Sequence, residues 1–429
     1  MAHMKAKRTA GSSRDFGLIA VARSARGLAF GYLAVVLGVE LHRRGLTGLQ
    51  VGLLLSAIVG GASFALLAVR RFADRAGRKR LYLVGYLLQV AGGLLLATSP
   101  WWWLAVVGLS GALSAEVNDS GPFTALEQVM LASTVSEDRL LRSFGRYNAA
   151  GAVAGAAGAA GAGLLQLHGV DTLGALNFAP IIPLALIGAA CAWRLSDAVE
   201  ARPIATTGGS LSHARVKLPS STGTRSVIGR FSALIALDSL GSGFAIQAFI
   251  AYWLAARFGA NVLIIGSIFV GIGALHAISM ILATRLAERF GLLATMVGTH
   301  LPSNLMLAVL AFVPSLPIAA ALLWLHASLS EMDVPTRNTY LMAIVPARDQ
   351  TRMASTTSLA KTLARPVGPA LAGVAQGISI GLPLFIAGTL KAGYDLALWN
   401  WFRKVPLLPS GAPVADTRHP QEEIAQRSE

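Results

Sequence analysis

Apolar runs of about 20 residues recur along almost the whole chain, separated by short charged segments, and no other feature restricts the fold as tightly. A run that long, wound as a helix, crosses the hydrocarbon core of a bilayer. In lipid the backbone must satisfy its own hydrogen bonds, which leaves helices and closed barrels as spanning structures. The runs are continuous rather than alternating, so they predict helices. Composition agrees: 54% of the 429 residues are hydrophobic and 13% charged. A soluble chain carries roughly a quarter charged residues. The expected fold class is all-α integral membrane, with about 12 transmembrane helices in two pseudo-symmetric six-helix bundles.

Helices are predicted near 17–41, 48–69, 81–98, 101–131, 147–167 and 176–194, and again near 229–256, 262–284, 291–313, 317–345, 353–375 and 381–402. The chain divides into an N-terminal tail (1–15), a first bundle (16–194), a polar linker (195–228), a second bundle (229–402) and a polar tail (403–429). The linker holds Thr206-Thr207-Gly208-Gly209-Ser210, a composition of flexible chain. Basic residues gather after even-numbered helices, at 70–80, 139–146, 194–230, 285–289 and 348–352. Cytoplasmic loops carry such an excess, so both termini are expected in the cytoplasm. Arg43 and Arg44 are the exception. This placement also accounts for the net charge of +15. Nucleic acid is not expected as a partner, because neither zinc-finger spacing nor aromatic-basic interleaving accompanies the basic segments. The single cysteine, Cys191, lies in an apolar run. Disulfides and cysteine-metal clusters are thereby excluded, and no cofactor or metal is expected. The N-terminus is basic and polar through Asp15, unlike a cleavable signal peptide.

An internal repeat supports two halves. Arg71-Phe-Ala-Asp-Arg-Ala-Gly77 matches Arg285-Leu-Ala-Glu-Arg-Phe-Gly291 at an offset of 214 residues. Gly27 and Phe30 match Gly241 and Phe244 at the same offset, and Pro122 matches Pro335 at 213. Three anchors agreeing within one residue point to duplication.

With these residues in place, the chain resembles the major facilitator superfamily. The loop signature Gly-x-x-x-Asp-Arg-x-Gly-Arg-Arg/Lys is matched by Asp74-Arg75-Ala76-Gly77-Arg78-Lys79, with Arg70 where the leading Gly is expected. The resemblance covers residues 16–402. Gly121-Pro-Phe-Thr-Ala-Leu-Glu-Gln128 and Met332-Asp-Val-Pro-Thr-Arg337 are similar to a widespread bacterial branch. The drug-antiporter arginine of helix 4 and the sugar-porter loop motif are missing, so the resemblance names no substrate. It implies that helices 1, 4, 7 and 10 line a central cavity. It also implies a conformational latch between halves at Asp74, Arg75, Gly77 and Arg78, with Glu288 and Arg289 in the repeat. Membrane topology alone would also place basic residues there.

A charge at mid-bilayer costs about 2.5–3.5 kcal/mol on insertion scales, so such residues pair or face a cavity. Arg23 and Arg26 fall in helix 1, Glu116, Asp119 and Glu127 in helix 4, and Asp238 in helix 7. Helix 10 adds Glu331, Asp333 and Arg337; helix 11 adds Lys361 and Arg365. Asp119 and Asp333 stand just before Pro122 and Pro335, and proline kinks a helix and frees carbonyls. These two acids lead the candidates for a substrate or proton pathway, joined by Arg23, Arg26, Glu116, Asp238, Glu331 and Arg337. The two arginines have three readings: a salt bridge to Asp238 across the halves, contact with an anionic substrate, or snorkelling to headgroups. Lys391 and Asp395 are four apart and can pair on one face of helix 12. His300 reads as a satisfied polar residue near a membrane boundary, and the Gly/Ala run from Gly151 to Gly163 suits close helix packing.

Function follows as a monomeric secondary active transporter in a cell membrane, the bacterial inner membrane by the branch it resembles. Proton coupling is the expected drive and efflux the preferred direction; uptake or facilitated diffusion of an organic anion is the alternative. No Gly-x-x-x-x-Gly-Lys-Ser/Thr loop is present for ATP, and no hydrolase motif argues for an enzyme. A non-transporting sensor or scaffold would need an output module, for which the linker and tail leave no room.

Overall fold

The computed structural model describes residues 2–98, 103–116, 121–135, 137–167, 177–200 and 222–403, with side chains for most of them from Arg14 onward. The described residues form helices and turns, without a strand. The first half holds α1 (Ala2–Arg43), α2 (Gly48–Ala76), α3 (Arg78–Thr98) and α4 (Trp103–Leu109), then α5 (Pro122–Thr134), α6 (Glu137–Leu167) and α7 (Ile181–Arg194). After a 3₁₀ turn (Asp197–Glu200) come α8 (Thr222–Phe244), α9 (Gln247–Phe258), α10 (Val262–Phe290) and α11 (Leu292–Leu310). The chain then forms α12 (Leu316–Ser330), α13 (Asp333–Ala343), α14 (Ala347–Ala364), α15 (Val367–Ile378) and α16 (Leu382–Phe402). Among the described residues, 7 helices are long and apolar enough to cross a membrane.

Two differences from the sequence expectation have physical causes. First, the basic segments at 70–80, 139–146, 285–289 and 348–352 are largely helical rather than looped. Hydropathy falls where a helix leaves the hydrocarbon, yet arginine and lysine are good helix formers and the backbone continues into water. The stretch expected as linker is likewise helical from Thr222, and Asp15, expected in a tail, is buried on α1. Second, the helices predicted at 101–131, 229–256, 317–345 and 353–375 are each split into two segments. Pro122 and Pro335 therefore kink no continuous helix. Pro122 opens α5 after Gly121, and Pro335 sits in the first turn of α13. A residue without an N–H is tolerated there, since that donor has no intrahelical partner.

The repeat is visible in the backbone. α2 and α10 both have 29 residues and stand 214 apart. Thr47 and Asn261 cap their N-termini, each accepting from the backbone three residues on. Gly77 (φ 90°) and Gly291 (φ 86°) close their C-termini in a region that side chains disfavour.

Packing sets where the halves meet. α1 lies on α9, α2 on α15, and α6 on α10. The largest apolar cluster spans both halves, running through Leu37, Leu55, Phe249 and Trp253. Two smaller clusters stay within one half each, around Tyr82 and Phe123 and around Phe231 and Phe402. The halves are thus joined at the end remote from the termini. Small residues permit this contact: a methyl on Gly52 would collide with the Pro369 carbonyl, and one on Gly38 with the Ala248 carbonyl. The Tyr252 hydroxyl donates to the Leu46 carbonyl at 3.1 Å, and the His42 ring meets Tyr252 edge-on at 5.8 Å.

Candidate functional site

A cavity of about 500 Å³ lies between the halves, beyond the joined ends, with Phe269, Ile272 and Leu323 in its apolar wall. Its charged residues come from α1, α8, α13, α14 and α16, and from the interruptions at 116, 331 and 365. Arg23, Glu116, Asp238, Glu331, Asp333 and Arg337 from the sequence candidates all line it. Asp119 lies outside the described residues.

The second half supplies the densest charge. Arg337 reaches Asp333, one turn earlier on α13, at 2.8 Å and Asp238 on α8 at 3.2 Å. Asp238 also accepts from Lys391 on α16 at 2.8 Å, and Lys391 donates to Ser242 at 3.0 Å. Asp238 is therefore held within its own half, and the bridge to Arg23 or Arg26, one of the three readings, is not formed in this state. Lys391 and Asp395 do not pair either. One turn of α16 separates them, and a closer acid takes the lysine while His300 takes Asp395 at 2.8 Å. Asn304 donates to the other Asp395 oxygen at 2.8 Å, completing a buried triad whose His300 lines the cavity. His326 pairs with Ser303, and His276 with Ser330. His300, read from the sequence as a satisfied polar residue, belongs to this layer with Ser303 and Asn304; their partners on other helices carry no sequence signal.

The two arginines of α1 have different surroundings. Arg26 points away from the cavity into the first half and meets Glu127 on α5 at 2.5 Å. Both side chains are 0% exposed. Glu127 also accepts from the Tyr82 hydroxyl at 2.6 Å and from the Tyr147 hydroxyl. Phe123 lies 5.1 Å from the Arg26 guanidinium. A buried ion pair persists only with such additional hydrogen bonds. Arg26 accordingly does not line the cavity in this state. Arg23, three residues earlier, does; its Nε and Nη1 have no hydrogen-bond partner among the described residues, and Tyr147 lies 5.4 Å away. Across the cavity, Glu116 and Arg365 form an ion pair between the halves.

The basic segment between α2 and α3 ties mainly to its own half. Arg78 pairs with Asp74 at 3.1 Å, and the Arg78 and Lys79 amides donate to Glu200 at 2.8 and 2.9 Å. Gly77 makes that turn. Arg75, Glu288 and Arg289 are exposed. Contact with the other half comes instead from Arg70, which donates to Ser358 at 2.7 Å.

Known proteins share this architecture. The sequence model of the Major Facilitator Superfamily matches residues 17–369. An uncharacterized membrane protein of Saccharomyces cerevisiae, YJR124C, is 26% identical over 419 residues, covering 90% of this chain and 94% of the yeast protein. A POT family transporter in complex with a thioalcohol-conjugated peptide superposes with a TM-score of 0.70 at 13% identity, covering 91% of this chain and 96% of that one. The nucleoside transporter NupG superposes with a TM-score of 0.65 at 12% identity, covering 90% and 97%. At these identities the likeness to solved structures is one of fold.

Proposed function

The chain belongs to the Major Facilitator Superfamily and is a membrane solute transporter rather than an enzyme, and we propose that it works as a proton-coupled secondary transporter by alternating access. In this reading two six-helix bundles, 16–194 and 229–402, rock about the central cavity with both termini in the cytoplasm. The direction is export across a cytoplasmic membrane. The observation that carries the reading is a charged cavity walled by both halves, closed at one end by their contact and bridged by Glu116–Arg365. With the termini cytoplasmic, the joined end faces outward and the state is inward-facing.

Alternating access requires the contact at Gly38, Gly52 and Tyr252 to open in the opposite state. A substrate can shift such an equilibrium only by binding the two states differently. The Asp238 cluster offers the means. A proton on Asp238 would release Lys391 and loosen Arg337, changing the field felt by a solute in the cavity. In the opposite state the segment around Asp74, Arg75 and Arg78 would meet its repeat counterpart around Glu288 and Arg289 as a latch.

The test uses proteoliposomes with an imposed pH gradient and a solute panel of organic anions, cations and neutral compounds. Accumulation abolished by an uncoupler is expected. In a Cys191→Ser background, the pair His42→Cys and Tyr252→Cys should cross-link and stop flux, with reduction restoring it. Flux that persists through the closed cross-link would overturn the alternating-access reading.

A further inference from the structure

Five cationic side chains (Arg23, Arg337, Lys361, Arg365 and Lys391) and four carboxylates (Glu116, Asp238, Glu331 and Asp333) line the cavity. Pairing removes most of them. Asp238 and Asp333 take up Arg337 and Lys391, and Glu116 takes up Arg365. Among the described residues, Arg23, Lys361 and Glu331 are left without an ion pair. The surplus among them is positive, and its two cations come from different halves.

Arg23 is the less ordinary of the two. It is 6% exposed, and its Nε and Nη1 are buried without a hydrogen-bond partner among the described residues. Glu127, the acid that Arg26 meets on the same side of the first half, is already engaged by Arg26 and two tyrosines. The guanidinium lies over Gly151, where a Cβ would collide with Nε, so α6 makes room for it. Holding an ionised group in a dry setting without a partner is costly. Within a membrane protein such a residue marks a ligand path. A guanidinium fork matches a carboxylate or phosphate with two parallel hydrogen bonds. Lys361 stands at the junction with a second cavity of about 250 Å³, where Arg70 and Arg365 face a single acid, Glu116. That side chamber forms a basic approach. The remaining wall mixes polar side chains (Asn148, Gln247, His276 and His326) with an apolar stretch at Ala156, Ala159, Ile250 and Phe269.

We infer that the cavity takes an organic anion with an apolar body, its carboxylate or phosphate held between Arg23 of the first half and Lys361 of the second. The inference rests on the transporter reading above and names its substrate class. An anion engaging both halves at once would also draw them together, which is the differential contact that alternating access needs.

The experiment follows thermal unfolding of the purified full chain with four ring-matched probes at equal ionic strength: benzoate, phenyl phosphate, neutral benzamide and cationic benzamidine. Wild type, Arg23→Gln, Lys361→Gln and Arg23→Lys are compared, each against its own melting curve without probe. The anions should protect the wild type. Their half-effect concentration should rise about tenfold or more in Arg23→Gln and Lys361→Gln, as expected for a lost charge-assisted hydrogen bond, and less in Arg23→Lys. The stronger of the two anions distinguishes a carboxylate from a phosphate ester. Equal protection by benzamidine or benzamide, protection undiminished in both Gln variants, or none from either anion in the millimolar range would overturn the inference. Proton-driven flux of benzamidine, unchanged in Arg23→Gln, would remove the anion and leave the transporter; absence of any coupled flux would remove the transporter itself.

Discussion

Arg26 and Arg23 offer the sharpest test of how this helix divides labour. The perturbation is a double-mutant cycle on Arg26→Met and Glu127→Leu. Both wild-type side chains are fully buried and 2.5 Å apart. Removing one partner of a buried ion pair costs about 3–5 kcal/mol, because the other charge stays behind. Arg26→Met leaves a carboxylate that still accepts from Tyr82 and Tyr147, so its cost lies near the lower bound. Glu127→Leu takes the carboxylate from a guanidinium that keeps Thr124 at 3.4 Å, and from two tyrosine hydroxyls, each worth about 1–3 kcal/mol when buried without an acceptor. Tyr82 can turn toward the Tyr86 hydroxyl, 3.3 Å away, so the total comes to about 4–6 kcal/mol. The double variant removes both charges and should lose only about 1–2 kcal/mol for the hydroxyls. The singles would then sum to far more than the double, the signature of direct coupling. The assay is reversible unfolding in mixed micelles, with benzoate protection measured in parallel. Single costs below about 1 kcal/mol, or additive ones, would refute the buried-pair account. So would loss of benzoate protection in a folded Arg26→Met protein.

Two further outcomes test the contacts between the halves. Glu116 and Arg365 keep 20% and 21% side-chain exposure, so their bridge is worth about 0.2–1 kcal/mol and its loss shifts the two states by fivefold at most. In a Cys191→Ser background, Glu116→Gln should change the labelling rate of Gln128→Cys, in the wall of the side chamber, by up to that factor. The exchange Glu116→Arg with Arg365→Glu should restore it, and an unrestored rate sinks the bridge as a gate. At the joined end, a side chain on Gly373 would meet the Gly48 carbonyl and lie 3.0 Å from the Gly52 Cα. Gly373→Val should therefore speed labelling of His42→Cys from outside; an unchanged rate would show that this contact does not seal the cavity.

The sequence carried the helices because lipid imposes burial on every run, and a 20-residue apolar stretch has few alternatives. It did not fix the break at Ala245–Ile246, where Gly241 and Gly243 weaken the helix without saying that it stops. There the Ala248 amide donates to the Ala115 carbonyl at 3.2 Å, a contact 133 residues away in sequence. Charges posed the same difficulty. Their presence in apolar runs says that each needs a partner, while the identity of the partner is a tertiary fact. Arg23 and Arg26 look alike in sequence, yet three residues turn a helix by about 300°, leaving them roughly 60° apart. That angle separates a sealed pocket of tyrosines from the open cavity. Lys391 and Asp395 were adjacent on their helix and still found other partners, since a buried acid on a neighbouring helix offers more than an i,i+4 neighbour.

The duplicated backbone has been filled with opposite charges. In the first half the cation is on α1 and the acid on α5: Arg26 and Glu127. In the second the acid is on α8 and the cation on α13: Asp238 and Arg337. At the repeat offsets Arg26 faces Leu240, and Thr124, which accepts from Arg26 at 3.4 Å, corresponds to Arg337. The first pair is dry and its carboxylate is held by Arg26 and two hydroxyls, so it braces its half as a rigid body. The second borders the cavity and shares one acid between two cations, so any added proton or anion must redistribute it. Coupling in the proposed cycle therefore belongs to the second half, while the first contributes Arg23 as a fixed anchor. A solute anion bound to that anchor and to Lys361 would sit between the half that cannot respond and the half that must.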